Sequence, residues 1–169
     1  MIAALPAPVG VAPSASSVRV VYGLAGAALG EPASIWRSTA SGRAAACAPG
    51  PARDRILVCH GADIAIGGGF MARDPTYTFV DGRLAKIVFR SSIDGFSYAM
   101  ASLKHRFGAP KTIVRDRIIV ADGLDRAHVA VTWRNGRSTI MLSDPTVDAA
   151  HLQVNMRLDA PPRSQPSHD

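Results

Sequence analysis

Cys59-His60 is the one adjacent pair in this chain whose residue types suggest nucleophilic catalysis, a thiolate activated by an imidazole base. Placed in a strand over 56–60, the two side chains point to opposite faces and cannot pair with one another. An enzymatic site near Cys59, His60 and Asp63 therefore needs another base to reach the thiol through the fold. The run Gly67-Gly68-Gly69 has the composition of a phosphate-cradling loop. It lacks the Lys-Ser/Thr of a P-loop and the G-x-G-x-x-G spacing of a dinucleotide site, so a connection before a strand at 76–80 is expected. Histidines at 60, 105, 128, 151 and 168 show no metal-ligand spacing. A single glutamate, Glu31, leaves little for paired-carboxylate chemistry. These residues assign no catalytic role, no cofactor and no metal.

Cys47 and Cys59 lack the further ligands that a zinc site demands. The Pro/Gly-rich segment between them, leading into a strand, instead predicts a disulfide. Such a bond belongs to an oxidising compartment. The start, MIAALPAPVGVAPSASS, is apolar and rich in small residues but has no basic region before it. It reads as a flexible lead-in or the remnant of a signal peptide. Together these features predict a periplasmic or secreted bacterial protein. No stretch approaches the roughly 18 uninterrupted apolar residues of a membrane-spanning helix.

The net charge of +6 and pI near 10.0 come from 16 Arg and 3 Lys against 12 Asp and one Glu. No basic run concentrates this charge as phosphate tracking requires, so nucleic acid is not the expected partner. The arginines matter through strand alternation. In the expected second sheet, one face carries Thr132, Arg134, Arg137, Thr139, Gln153, Asn155 and Arg157. Arginine and hydrogen-bonding side chains on a rigid sheet could recognise an acidic protein or polymer.

Tight turns and one helix must position that face. In 95–107, Phe96, Met100, Leu103 and Phe107 fall on one helical face. Asp94 is the expected N-cap, Lys104, His105 and Arg106 suit the last turn, and Gly108 with Pro110 ends the helix. A weaker helix is expected at 24–29. Asp81-Gly82 predicts a hairpin with Phe79 opposite Leu84, and a β-bulge near Ala85-Lys86 that brings Tyr77 to Ile87. Asn135-Gly136 predicts a second hairpin, with Trp133 opposite Ser138 and Val131 opposite Ile140. Further strands are expected at 56–60, 113–120 and 151–158. In the last, Leu152, Val154, Met156 and Leu158 alternate with His151, Gln153, Asn155 and Arg157.

Residues 29–37, LGEPASIWR, align with 107–115, FGAPKTIVR, and the two hairpin sequences, TFVDGRLAKIVF and TWRNGRSTIMLS, also align. This self-similarity predicts an α+β fold of two tandem units, each a helix plus an antiparallel β-meander, with helices covering one face of the sheets. The expected boundaries are 1–16 for the lead-in, 17–92 and 93–158 for the units, and 159–169 for a disordered tail.

The unit of helix, Gly-x-Pro and meander with an aromatic-x-Asp/Asn-Gly turn resembles the repeats of β-lactamase inhibitory proteins and the related SmpA/OmlA outer-membrane lipoproteins. The resemblance covers residues 24–158, with Gly30 and Gly108 as helix stops and Asp81-Gly82 and Asn135-Gly136 as turns. It implies an exported, non-enzymatic protein that binds another protein through a sheet face. The lipidated N-terminal Cys of the lipoproteins has no counterpart here. The competing expectations are an anion-binding module and a small enzyme near Cys59 and His60.

Overall fold

A computed structural model describes residues 22–51, 55–67, 69–146 and 148–159. The expected lead-in and all of the tail beyond Asp159 lie outside these residues. The chain opens with a small hairpin, β1 (Gly23–Leu24) and β2 (Ala27–Ala28), then two short helices, α1 (Ala33–Ser38) and α2 (Ala40–Ala44). Next come strands β3 (Ala46–Pro49), β4 (Ile56–His60), β5 (Ile64–Gly67), β6 (Phe70–Val80) and β7 (Arg83–Ser92). A longer helix, α3 (Phe96–Phe107), leads into β8 (Thr112–Ile119), β9 (Asp125–Asn135), β10 (Ser138–Asp144) and β11 (His151–Leu158).

Apart from the separate β1–β2 hairpin, the strands form one antiparallel sheet in the order β3-β4-β6-β7-β11-β10-β9-β8, with β5 paired to β6. Each half is a meander, and the last strands of the two halves, β7 and β11, pair with each other. The fold is thus α+β, with helices preceding each meander. Trp36 of α1 and Ala99 and Leu103 of α3 share one buried cluster with Tyr77, Phe89, Trp133 and Leu152 of the sheet. The helices therefore lie against a single face.

Local chemistry explains the hairpins. Asp81 and Gly82 take φ of 49° and 73°, the left-handed pair of a type I′ turn, which Asp and Gly tolerate well. Phe79 pairs with Leu84, and the register then slips so that Thr78 faces Lys86 and Tyr77 faces Ile87. Ala85 is the extra residue of the expected bulge. Without it Leu84 and Ile87 would point to opposite sides of the sheet, yet both are fully buried.

The second hairpin turns one residue later than expected. Asn135 pairs with Ser138, so Gly136 and Arg137 form the turn, with φ of 57° at Gly136. Positive φ at the first central position is the mark of a type II′ turn. Trp133 now faces Ile140 and Val131 faces Leu142. A two-residue change of register leaves every side chain on its own face, so burial alone does not choose between the pairings. The observed one sets apolar residues opposite one another, where the expected one placed Trp133 opposite Ser138.

Three further expectations are corrected. Residues 24–29 form the β1–β2 hairpin rather than a helix, because Ala25 and Gly26 take φ of 49° and 84° at its turn. Asp94 lies in a 3-10 turn at Ile93–Gly95, and Gly95 occupies the N-cap with no side-chain bond, since the chain passes directly from β7 into the helix. The segments 29–37 and 107–115 are not equivalent. After Pro32 the chain forms α1, whereas after Pro110 it forms β8. The aligned hairpins also differ in place, one spanning the last two strands of its meander and the other the middle two. Gly108 does end α3 as expected, with φ of 80° and its N–H donating to the Lys104 carbonyl at 2.9 Å. The Trp133 indole donates to the Gly108 carbonyl at 2.9 Å, tying the helix end to the second meander.

Candidate binding face

The groups singled out for catalysis do not assemble. Cys47 and Cys59 form a disulfide, so Cys59 offers no thiolate. His60 meets the Thr76 hydroxyl at 3.2 Å. Asp63 accepts from the Asp74 amide at 3.1 Å and lies 3.9 Å from Arg73. His128 pairs with Asp116 at 2.6 Å and His151 with Asp148 at 3.2 Å, on strands separated by β10. Among the described residues no three His, Cys, Asp or Glu side chains gather as metal ligands.

A cavity of about 200 Å³ lies beside α2, lined by Ala40, Ser41, Ala44, Gly61, Asp63 and Tyr77 among others. The Tyr77 hydroxyl is buried without a hydrogen-bond partner, and burial pushes its pKa up to about 12. The unfolded chain loses this proton near pH 10 and the folded chain only near 12, so stability falls as pH rises through that window. Tyr77→Phe is expected to flatten this loss in denaturant titrations between pH 9.5 and about 11.5. It should also leave stability at pH 7 unchanged or higher, because it removes an unpaired buried hydroxyl. A Phe variant with an unaltered alkaline profile would refute this account.

The sheet face away from the helices is the more extensive feature. Cross-strand register places Arg134, Thr139, Arg157, Lys86, Thr78 and Val58 in one row, and Thr132, Met141, Asn155, Val88, Thr76 and His60 in the next. At about 4.8 Å between strands, these rows extend about 24 Å across the sheet. Six of the seven expected face residues, Thr132, Arg134, Thr139, Gln153, Asn155 and Arg157, do point this way. Arg137 does not, because the later turn removes it from the strand. Thr139 is buried, and its hydroxyl donates to Asp159 at 2.7 Å, so it supports the face rather than offering a contact. Gln153 and Asn155 are half-buried, since β11 is a central strand.

Sequence reasoning missed the other half of the face. Arg73, Lys86, Val88 and Arg90 come from β6 and β7 of the first meander. The alternation after the Ala85 bulge marks Lys86, Val88 and Arg90 as outward-facing, but the pairing of β7 with β11 that joins them to Arg157 has no local signal.

The chain matches no family model, no curated protein and no solved structure. The candidate site therefore stands on its own geometry. No described helix is long and apolar enough to cross a membrane. The disulfide is compatible with an oxidising, extracellular environment.

Proposed function

We propose that this chain is a non-catalytic exported protein that docks another protein of the bacterial envelope on its open sheet face. The observation that carries the reading is the continuity of that face. Strands of both meanders contribute to it, their core-side residues are held by one packed cluster, and exposed arginines stud its surface. A backbone fixed in this way has little ordering entropy of its own left to lose on binding.

The test is steric and leaves charge untouched. Thr132→Tyr and Met141→Tyr place bulk at neighbouring positions on the face, Thr132 and Met141 being register partners, while aromatic residues keep strand propensity. Immobilised protein and the double variant are exposed to the same periplasmic extract, and captured proteins are quantified. Expected is a specific partner retained by the native protein and reduced at least about tenfold by the variant, as a displaced interface centre implies. Equal capture by both would dismiss the proposal.

A further inference from the structure

We propose that the partner of this face is an acidic protein surface with two carboxylate clusters about 13 Å apart; this rests on the docking reading above. Two pairs of like charges stand directly opposite one another across strands. Arg157 of β11 faces Lys86 of β7, and Arg90 of β7 faces Arg73 of β6. Opposed like charges on a sheet are destabilising, so in the free protein each pair is an unfavourable arrangement that an anion would relieve. Lys86 and Arg90 are four positions apart on one strand, which separates the two pairs by about 13 Å. Val88 and Asn155 lie between them as register partners.

Three of these four cations have a carboxylate close by, but none is closed by a hydrogen bond. Arg73 reaches Asp63 at 3.9 Å, Arg90 reaches Asp148 at 3.6 Å and Arg157 reaches Asp159 at 3.8 Å, all longer than hydrogen bonds. The carboxylates are engaged elsewhere. Asp63 accepts from the Asp74 amide, Asp148 from Thr146 and His151, and Asp159 from Thr139. In other parts of the fold, by contrast, Arg55–Asp81 and Arg117–Asp125 close at 2.7 and 2.8 Å. Lys86 has no ion-pair or hydrogen-bond partner among the described residues. Lys86 is thus free to meet an incoming carboxylate, and the three arginines, held in loose ion pairs without hydrogen bonds, keep N–H groups to offer it.

The same face argues against nucleic acid. Single-strand binding relies on aromatic platforms for stacking, yet Tyr77, Phe79, Phe89 and Trp133 are all buried on the helix side. Between the charged pairs the surface offers Val88, and beyond Asn155 in the same row, two strands from Val88, lies Met141, which is 37% exposed. A small apolar contact at Val88 flanked by cations fits a protein surface with an apolar contact between acidic ones.

Two measurements on the whole chain test this. First, Lys86→Gln/Arg90→Gln, which removes one member of each pair, is expected to raise the melting temperature of the free protein. A fall would overturn the proposal, because it would mean that the charges stabilise the sheet. Second, binding is followed by amide chemical shifts against three probes: a peptide with glutamates four residues apart around a valine, its glutamine counterpart, and oligo(dT). Expected are shifts centred on β7 and β11 with the acidic peptide alone, and an affinity lowered about fivefold or more by the double variant. Oligo(dT) binding more tightly than the peptide, or an acidic peptide that leaves these strands unmoved, would overturn it. If the tyrosine variants still abolish partner capture in that case, docking on the face survives and only the acidic character of the partner is lost.

Discussion

Replacing Trp36 by alanine is expected to lower the stability of the fold by about 3–5 kcal/mol, the range for truncating a buried aromatic. In thermal unfolding that is a drop of roughly 10 °C or more. Helix α1 has six residues, well short of the roughly 12–15 at which an isolated helix becomes even marginal in water. What orders it is the indole, which is fully buried, with its ring centroid 4.7 Å from that of Tyr77 and 5.1 Å from that of Phe79. Removing the ring opens a void over the first meander and leaves the short helix without its anchor. Trp36→Phe should cost less, about 1–2 kcal/mol, because it keeps an aromatic contact and deletes an indole N–H that is buried without a partner. Urea denaturation followed by circular dichroism would measure both. An alanine variant with the native midpoint would show that α1 is not held in this way.

Loss of the Cys47–Cys59 bridge is expected to cost about 3 kcal/mol, the value for closing a loop of this length in the unfolded chain. The two cysteines are register partners on β3 and β4, with Cα atoms 4.0 Å apart. Strand β3 has only four residues, three of them exposed, and lies at the edge of the sheet. Such a strand buries little apolar surface of its own, so the covalent link supplies much of its attachment. Cys47→Ser/Cys59→Ser, or reduction of the native protein, should lower the denaturation midpoint. It should also speed amide exchange across Ile56–His60, while Thr112–Ile119 at the far edge keeps its native rate. Equal midpoints with and without reductant would exclude a stabilising role for the bridge.

Some of this architecture is legible in the sequence and some is hidden, for reasons that differ by element. The Ala85 bulge can be read because Phe79, Leu84, Ile87 and Phe89 must all reach one buried side, and only an extra residue reconciles their parity. Helix α3 can be read from its apolar spacing and its Gly108 stop. The placing of the second turn at Gly136-Arg137 cannot, because a two-residue slip leaves parity intact and the choice falls to the pairing of Trp133 with Ile140. The likeness of 29–37 to 107–115 is misleading because Gly-x-Pro only breaks a chain. Packing sets the structure after each break: Trp36 finds Tyr77 and folds into α1, while 112–119 finds β9. The binding face is half legible, since alternation marks outward positions within a strand but not which strands lie side by side.

By itself, the order of residues determined the secondary-structure class, the apolar and polar sides of most strands, and the cysteine pair that bonds. These depend on interactions within a few residues or on strict alternation. The tertiary structure alone decided that β7 and β11 pair, and with them that Lys86 meets Arg157. That contact joins residues about 70 positions apart in the chain. Its register is fixed by the shared core of Ile87, Phe89, Val154 and Met156 beneath it, a long-range burial that local sequence does not encode.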